Sequence, residues 1–284
     1  MTATLIDGAS VANAILAETR ERAANYERRT GRKPCLATVL VGDDPASHTY
    51  VRMKVNRCRS SGLESRSHHV AATATTADVV VLVKALSSDD GVDGILVQHP
   101  MPGHVDERRV FEAIAPHKDV DGVTMASFAA MALGSSGFHS CTPAGIMRIL
   151  DAYDVDPTGM HAVVVGRSPI LGKPVGMLLL ARDATVTYCH SRTVDLPAIV
   201  AAVDLVVAAV GRPELIQGAW IKPGAIVIDA GYNPGNVGDV EFVGAAERAS
   251  LITPVPGGVG PTTIAVLLEQ TVFAAQSSVT IRGT

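Results

Sequence analysis

The sequence predicts an α/β protein in which helices cover a parallel or mostly parallel sheet. Stretches of helical periodicity alternate with short apolar runs along the chain, and this alternation is typical of that class. In the second half, four runs rich in Val, Ile and Ala follow one another, as buried parallel strands do. The chain has 284 residues, of which 47% are hydrophobic, so it is long enough for two domains with buried cores and is not disordered.

The first half contains three predicted helix–strand pairs. Apolar residues recur at helical spacing in each helix, and Ser47 is a candidate N-cap of the second helix. The third strand stops at Gln98 because two prolines follow, and the carboxyl end of a strand is where α/β proteins bind ligands. The predicted elements are helix 9–24, strand 35–41, helix 47–61, strand 64–70, helix 77–87 and strand 94–98.

The second half follows a weakly structured stretch at residues 135–137, where we place the boundary between two domains. A helix over 143–153 precedes the four buried strands. These strands are predicted at residues 162–165, 185–188, 205–210 and 225–229.

Charge and cysteine usage exclude several classes of protein. The net charge is −4 and no sustained Lys/Arg block occurs, which argues against nucleic acid or an anionic membrane as the main partner. No basic leader precedes an apolar run, and no uncharged apolar stretch reaches membrane-spanning length, so we expect no export or anchoring.

The four cysteines form no CxxC pair, which favours reduced thiols in the cytoplasm. No HExxH occurs and the adjacent His68 and His69 point to opposite faces of a strand, so we expect no metal.

Residues 161–174 predict a strand, a glycine-bearing loop and a helix, the arrangement that brings a backbone close to a pyrophosphate. Gly166 and Gly172 lie too far apart for a GxGxxG fingerprint, so an ordinary βα turn stays an equal alternative. The next strand is followed by Ser191 and Arg192, where NAD-binding sites carry an acidic residue. Together with Arg167, this arginine suits a 2′-phosphate and favours NADP, unless Arg192 is an ordinary solvated cation.

Three further features are each weak evidence for a functional site when taken alone. Tyr50 and Lys54 are four residues apart and share a helix face, as they also would on any amphipathic helix. Short-chain dehydrogenases use this spacing, but their glycine loop precedes the pair, whereas here it follows. Asp121 beside Gly122 either binds the edge of a polar heterocycle or begins a turn. Residues 253–263, with three prolines and three glycines, predict a loop suited to close backbone approach.

Seven segments taken in order carry a resemblance to a known family. They are 50–54 (YVRMK), 97–102 (VQHPMP), 119–122 (DVDG), 141–145 (CTPAG), 166–174 (GRSPILGKP), 229–233 (DAGYN) and 254–263 (PVPGGVGPTT). Together they resemble the bifunctional methylenetetrahydrofolate dehydrogenase/methenyltetrahydrofolate cyclohydrolase family over most of the chain. His99, Ser140, Asn56 and residues 127–130 depart from the family's usual pattern.

The resemblance implies two α/β lobes with an active-site cleft between them. Residues 1–139 would form a folate-binding and catalytic domain, joined by a returning C-terminal helix over 264–284, and residues 140–263 a Rossmann-type NADP-binding domain through which the protein forms a homodimer. The implied activity is NADP-dependent oxidation of 5,10-methylenetetrahydrofolate, followed by hydrolysis of 5,10-methenyltetrahydrofolate to 10-formyltetrahydrofolate in one-carbon metabolism.

The resemblance also implies residue roles. Lys54 would move protons during hydrolysis, because a cationic ligand and a partly dry cleft disfavour the ammonium form. Gln98 would hydrogen-bond to Lys54, Tyr50 would stack on the folate ring and Asp121 would bind the pterin amino edge. Further substrate contacts would come from Pro100, Gly257, Gly258 and Pro261, and cofactor contacts from Gly166, Arg167, Ser168, Gly172, Pro174, Ser191, Arg192 and Thr142.

Two alternatives remain open at this point. A related two-lobed NADP dehydrogenase, such as a shikimate-type enzyme with a Lys/Asp pair, would not need Gln98 or the loop near Pro261. A catalytically idle binder of NADP or folate could retain residues 166–174 without Lys54 or Asp121, and the presence of both residues favours an enzyme.

Overall fold

A computed structural model of the protein describes residues 3–282, apart from the side chains of Ala46, Tyr50 and residues 279–282. It is an α/β protein with two compact units. We call the described residues among Ala14–Ala130, Ser135–His139 and Leu267–Thr284 the first unit, and those among Met1–Asn13, Met131–Gly134 and Ser140–Val266 the second unit.

The helices and strands alternate as the sequence predicts. The strands are β1 (Thr4–Leu5), β2 (Cys35–Val41), β3 (Glu64–Val70), β4 (Gly94–Val97), β5 (His161–Val165), β6 (Thr185–Cys189), β7 (Leu205–Ala208), β8 (Ile226–Asp229) and β9 (Leu251–Ile252). The helices are α1 (Gly8–Thr30), α2 (Pro45–Ser60), α3 (Thr76–Ser88), α4 (Glu107–Phe111), α5 (Met125–Ala132), α6 (Cys141–Ala152), α7 (Gly172–Leu180), α8 (Leu196–Ala201), α9 (Phe242–Arg248) and α10 (Val259–Arg282).

The first unit contains a parallel three-stranded sheet in the order β3-β2-β4. Every residue of β2 and β4 is buried, which explains their almost entirely apolar sequences. Because all three strands are parallel, their carboxyl ends lie along the same edge, and Gln98 follows β4 at that edge.

The cap of α2 differs from the prediction. Asp44, rather than Ser47, is the N-cap, and its side chain accepts the Ser47 N–H over 2.8 Å. Pro45 occupies the first helical position, where its missing N–H leaves no helix hydrogen bond unmade. The helix therefore begins two residues earlier than Ser47, and Ser47 lies buried inside its first turn.

The second unit contains a parallel six-stranded sheet in the order β1-β9-β8-β7-β5-β6. The predicted strands in this half are confirmed, although β7 ends at Ala208 instead of residue 210. The Val210 N–H donates to the Asp239 carboxylate over 2.7 Å instead of continuing the ladder. Among the described helices, none is both long and apolar enough to cross a membrane.

Segments near both ends of the chain contribute to the second unit. β1 pairs with β9, and the described residues up to Asn13 belong to that unit. Helix α10 begins at Val259, inside the stretch predicted to be a loop, and its residues up to Val266 also belong to the second unit. A two-residue strand carries no periodic pattern, which is why the pairing of β1 is invisible in the sequence.

Candidate active site

Lys54 and Gln98 are in direct contact within the first unit. Lys54 lies on α2, and its Nζ atom donates a hydrogen bond to Gln98 Oε1 over 3.0 Å. The Gln98 backbone N–H donates to Val39 O of β2 over 2.8 Å, which fixes the residue at the end of the sheet. The structure thus brings together two residues that are 44 positions apart in the chain.

The Gln98 amide has a defined orientation. Its Nε2 atom donates to the His99 carbonyl oxygen over 2.6 Å, so that Oε1 is left to accept from Lys54. Gln98 is only 7% exposed, and a buried amide is stable when both its donor and its acceptor are paired. Lys54 is half-buried, and an ammonium group that donates one hydrogen to Gln98 has two more for a ligand or water.

The segment after β4 is held in place by α4. The His99–Pro100 peptide bond is cis, and the Met101 N–H donates to Glu107 Oε1 over 2.7 Å. Pro100 is exposed beside Gln98 in the chain. The imidazole of His99, which departs from the family pattern, packs edge-on against Phe111 with ring centroids 6.5 Å apart.

Tyr50 lies one helical turn before Lys54 on α2, but its side chain is outside the described part of the structure. Its stacking role therefore stays a prediction. Asn56, another departure from the family pattern, is exposed on the same helix and has no described contact with the Lys54–Gln98 pair.

Asp119 organises the loop that carries Asp121. Asp119 is fully buried, and its carboxylate accepts the N–H groups of Val123 (3.0 Å) and Thr124 (2.9 Å). Ser127 Oγ donates to the same carboxylate over 2.6 Å, so one of the departing residues at 127–130 has a structural function here. Burial raises the pKa of Asp119, and these hydrogen bonds oppose that rise.

Asp121 is half-buried in the same loop, just before Gly122 at a φ of 65°. None of the described residues donates a hydrogen bond to the Asp121 carboxylate or forms an ion pair with it. Because the Asp119 carboxylate supports the turn, the Asp121 carboxylate is available to a ligand.

In the second unit, the loop after β5 passes close to other backbone segments. A Cβ atom on Gly166, which has a φ of 134°, would collide with the carbonyl oxygen of Ala209. A Cβ atom on Gly172 would meet the Gly166 carbonyl oxygen at 2.5 Å. Glycine is required at both positions, as in loops whose backbone approaches a pyrophosphate. The strand–loop–helix prediction is confirmed, with α7 beginning at Gly172.

Ser168 closes the first turn of α7. Its Oγ atom accepts the Leu171 N–H over 3.1 Å, and its carbonyl oxygen accepts the Lys173 N–H over 3.0 Å. Pro174 is buried in the same turn. These contacts shape the loop, whereas the predicted cofactor contacts of Ser168 and Pro174 stay predictions.

Arg167 and Arg192 follow neighbouring strands at the same edge of the sheet, because Val165 of β5 pairs with Cys189 of β6. Both arginines are exposed, and no other residue in the described part of the chain pairs with either guanidinium group. Ser191, also exposed, lies between β6 and Arg192 in a turn closed by a His190 N–H to Thr193 Oγ1 hydrogen bond of 2.8 Å. Two unpaired guanidinium groups beside a glycine loop fit a dinucleotide with an additional phosphate.

Asp239 is a residue that the sequence analysis missed. Its buried carboxylate accepts the N–H groups of Val210 (2.7 Å), Gly211 (2.9 Å) and Arg212 (2.9 Å), which shapes the loop after β7. The neighbouring Asp229 accepts the Asp239 N–H over 3.1 Å, and burial raises the pKa of Asp229 to about 6. Asp229 lies in a segment that was singled out, but nothing in the local sequence points to Asp239.

The remaining predicted residues also lie in the second unit. Thr142, in the first turn of α6, accepts a hydrogen bond from Thr263 Oγ1 over 3.1 Å. The Gly258 N–H donates to Pro254 O over 2.9 Å, and Gly257 has a φ of 105°. Pro261 belongs to the first turn of α10 and not to a loop, which corrects the prediction for residues 259–263.

Comparison with known proteins identifies the family. The catalytic domain of the tetrahydrofolate dehydrogenase/cyclohydrolase family matches residues 6–121, and the NAD(P)-binding domain of that family matches residues 140–279. The chain belongs to this family. It is 67% identical to a bifunctional FolD protein of Salinispora arenicola over 97% of this chain and 99% of the relative.

Two solved structures of the family are closely similar to this tetrahydrofolate dehydrogenase/cyclohydrolase. The FolD methylenetetrahydrofolate dehydrogenase/cyclohydrolase of Campylobacter jejuni has a TM-score of 0.94 at 41% identity, with 97% of this chain and 99% of that chain covered. The Trypanosoma brucei enzyme, complexed with NADP cofactor and an inhibitor, has a TM-score of 0.95 at 39% identity, with 98% and 99% covered.

These findings confirm the family, the α/β class, the bifunctional folate chemistry and the nucleotide cofactor that the sequence predicts. They also decide against a shikimate-type enzyme. The roles of individual residues, the domain limits and the cleft between the lobes stay predictions.

Proposed function

We propose that this enzyme oxidises 5,10-methylenetetrahydrofolate with NADP and hydrolyses the product to 10-formyltetrahydrofolate, with Lys54 as the proton-transfer residue. The hydrogen bond between Lys54 Nζ and Gln98 Oε1 carries the assignment of the catalytic residue. It places an oriented amino group at the carboxyl edge of the sheet, where α/β enzymes hold their ligands.

The oxidation requires orientation more than acid–base chemistry. NADP supplies the hydride acceptor, and the donating carbon lies between two nitrogens whose lone pairs stabilise the resulting cation. The chain contributes a rigid binding surface: Gly166 and Gly172 let the backbone approach the phosphates, and Asp239 fixes the loop after β7. Thr142, Ser168, Pro174 and Ser191 would complete the cofactor site.

The hydrolysis adds water to the cationic methenyl carbon and moves protons. In its neutral form, Lys54 can donate one N–H to Gln98 and present its lone pair to the attacking water. Gln98 therefore acts as a positioning residue, since it restricts Nζ to one side of the helix. Asp121 accepts hydrogen bonds from the pterin edge, Tyr50 stacks on the ring, and Pro100, Gly257, Gly258 and Pro261 contact the substrate.

The assignment is tested by Lys54→Ala. We expect this variant to lose methenyltetrahydrofolate hydrolysis and to retain its circular dichroism spectrum. Lys84→Ala, which removes an exposed lysine of α3, is the matched control and should hydrolyse normally. Full hydrolysis by Lys54→Ala would overturn the assignment.

A preference for NADP over NAD follows from Arg192, assisted by Arg167. Both guanidinium groups are exposed and can pair with phosphate oxygens. We expect Arg192→Ala to raise the KM for NADP about tenfold or more and to leave the KM for NAD nearly unchanged. Arg22→Ala, an exposed arginine of α1, is the control. Equal losses for both cofactors would show that Arg192 does not contact the 2′-phosphate.

We propose further that the enzyme is a homodimer of the cytoplasm. β6 is an edge strand of the second unit's sheet, and stable proteins cover or pair such edges. The four cysteines are buried free thiols, which persist in reducing compartments. Light scattering at assay concentration and cell fractionation test the two statements. A monomer, or enzyme recovered outside the cytoplasmic fraction, would contradict them.

A further inference from the structure

Three side chains with metal-ligating atoms, none of them part of the Lys54–Gln98 pair, converge at the carboxyl edge of the first unit's sheet. Asp43 lies in the loop after β2, His48 in the first turns of α2, and His69 near the end of β3. One ligand atom from each residue lies within 4.8 Å of the others. All three side chains are exposed, so an ion can reach them from solvent.

The distances are close to those of a metal site. Asp43 Oδ1 lies 3.3 Å from His69 Nε2 and 3.9 Å from His48 Nε2. Ligands at about 2.0–2.2 Å in a tetrahedral zinc site are separated from one another by about 3.3–3.6 Å. Small rotations of exposed side chains bring His48 into this range. The two imidazole rings meet edge to face, with centroids 5.1 Å apart, and so do not block each other.

The backbone that carries the three ligands is fixed. The Gly42 N–H donates to Val70 O over 2.9 Å and ties the loop after β2 to β3. His69 pairs with Leu40 in the sheet, and the His48 N–H donates to Asp44 O over 3.0 Å in the helix. The ligands therefore need little ordering when an ion binds, which lowers the entropic cost of binding.

We propose that Asp43, His48 and His69 form a surface site for a borderline divalent cation such as Zn²⁺. Two imidazoles and one carboxylate suit Zn²⁺, whereas Mg²⁺ and Ca²⁺ prefer oxygen ligands alone. The fourth coordination position is open to water. His69 Nε2 lies 3.0 Å from Gly42 O, and it exchanges that hydrogen bond for the metal bond.

Few competing sites lie in the part of the chain that the structure describes. The four cysteines are all buried, which keeps their thiols from an ion in solution. Within the described residues, no other group of three His, Cys, Asp or Glu side chains has this proximity. A bound ion would link the start of α2 to β3, so it would stabilise the folded state of the enzyme.

Calorimetric titration of the untagged enzyme with Zn²⁺ tests the proposal. We expect one site per chain in the wild type, with affinity lowered about tenfold or more in His69→Ala, His48→Ala and Asp43→Asn. Zn²⁺ should raise the melting temperature of the wild type more than that of these variants, and Mg²⁺ should raise neither. The matched control is His104→Ala, because His104 is also exposed and its Nε2 also lies 3.0 Å from a backbone carbonyl, that of Ala74.

Unchanged zinc affinity in the double variant His48→Ala/His69→Ala would overturn the proposal, as would an equal loss in His104→Ala. If an alanine variant is destabilised without metal, Asp43→Asn decides the outcome because it preserves side-chain shape. Lys54→Ala should bind Zn²⁺ like the wild type, so the result is independent of the catalytic assignment.

Discussion

Replacing Gln98 with Met removes the acceptor for Lys54 Nζ and preserves the length of the side chain. The lost contact is a 3.0 Å hydrogen bond from the Lys54 amino group to a residue that is 7% exposed. Between neutral groups such a hydrogen bond contributes about 0.5–1.5 kcal/mol, which corresponds to about a twofold to tenfold loss in rate when the contact orients a catalytic group. We expect kcat for methenyltetrahydrofolate hydrolysis to fall by this factor, because an untethered Lys54 rarely faces the attacking water.

The assay separates this positioning role from a general defect. The kcat of the dehydrogenase reaction should fall by a smaller factor than the kcat of hydrolysis, since hydride transfer needs no proton from Lys54. Gln217→Met is the matched control, because Gln217 is exposed and its Nε2 donates only to Glu214 O. Thermal unfolding should show Gln98→Met folded at assay temperature. Equal losses of both activities in the folded variant would refute the reasoning, as would unchanged hydrolysis.

Three further predictions concern the second unit. Asp239→Asn should lower the free energy of unfolding by about 2 kcal/mol in urea titration, because a buried carboxylate that accepts several N–H groups loses an acceptor. An unchanged urea midpoint of unfolding would contradict this. Gly166→Ala should raise the KM for NADP about tenfold or more but leave cofactor-free hydrolysis intact, since its Cβ would collide with Ala209 O; equal effects on both activities would contradict it. Burial raises the pKa of Asp229 to about 6. Between about pH 4 and pH 6 the folded protein therefore holds a proton that the unfolded chain releases. The stability that this proton contributes is lost as pH rises through that range. The stability difference between wild type and Asp229→Asn should therefore be larger at about pH 4.5 than at about pH 7 in urea unfolding, and a difference that grows with pH would contradict this.

The position of β2 was predictable because a buried run ends at the turn residues 42–45. β3 also has the predicted bounds, although none of its residues is buried. The start of α10 was not predictable in the same way. Residues 259–263 contain glycine and proline, which indicate a loop, yet proline is well tolerated in a first helical turn, and there Pro261 lies.

Contacts between distant segments mark the limit of prediction for the sites. The resemblance suggested Lys54 and Gln98 together, and the structure shows their hydrogen bond. Asp239 lies 29 positions from Val210, whose N–H it accepts, so no local pattern reveals that loop support. The sequence did not reveal the cluster of Asp43, His48 and His69 for the same reason. Spacing rules detect ligands on one element, and these three residues lie in a loop, a helix and a strand.

The carboxylates of Asp119 and Asp121 have different roles, and this difference determines which of the two positions can be substituted without loss of folding stability. Asp119 supports the turn with its buried hydrogen bonds, while Asp121 stabilises nothing else that is described. With the role proposed for Asp121, ligand preference and loop shape are set at separate positions. We expect substitutions of Asp121 to change which heterocycle binds with little loss of folding stability. Substitutions of Asp119 would remove the buried hydrogen bonds that support the turn. A library randomised at position 121 alone is therefore the economical starting point for altering pterin recognition.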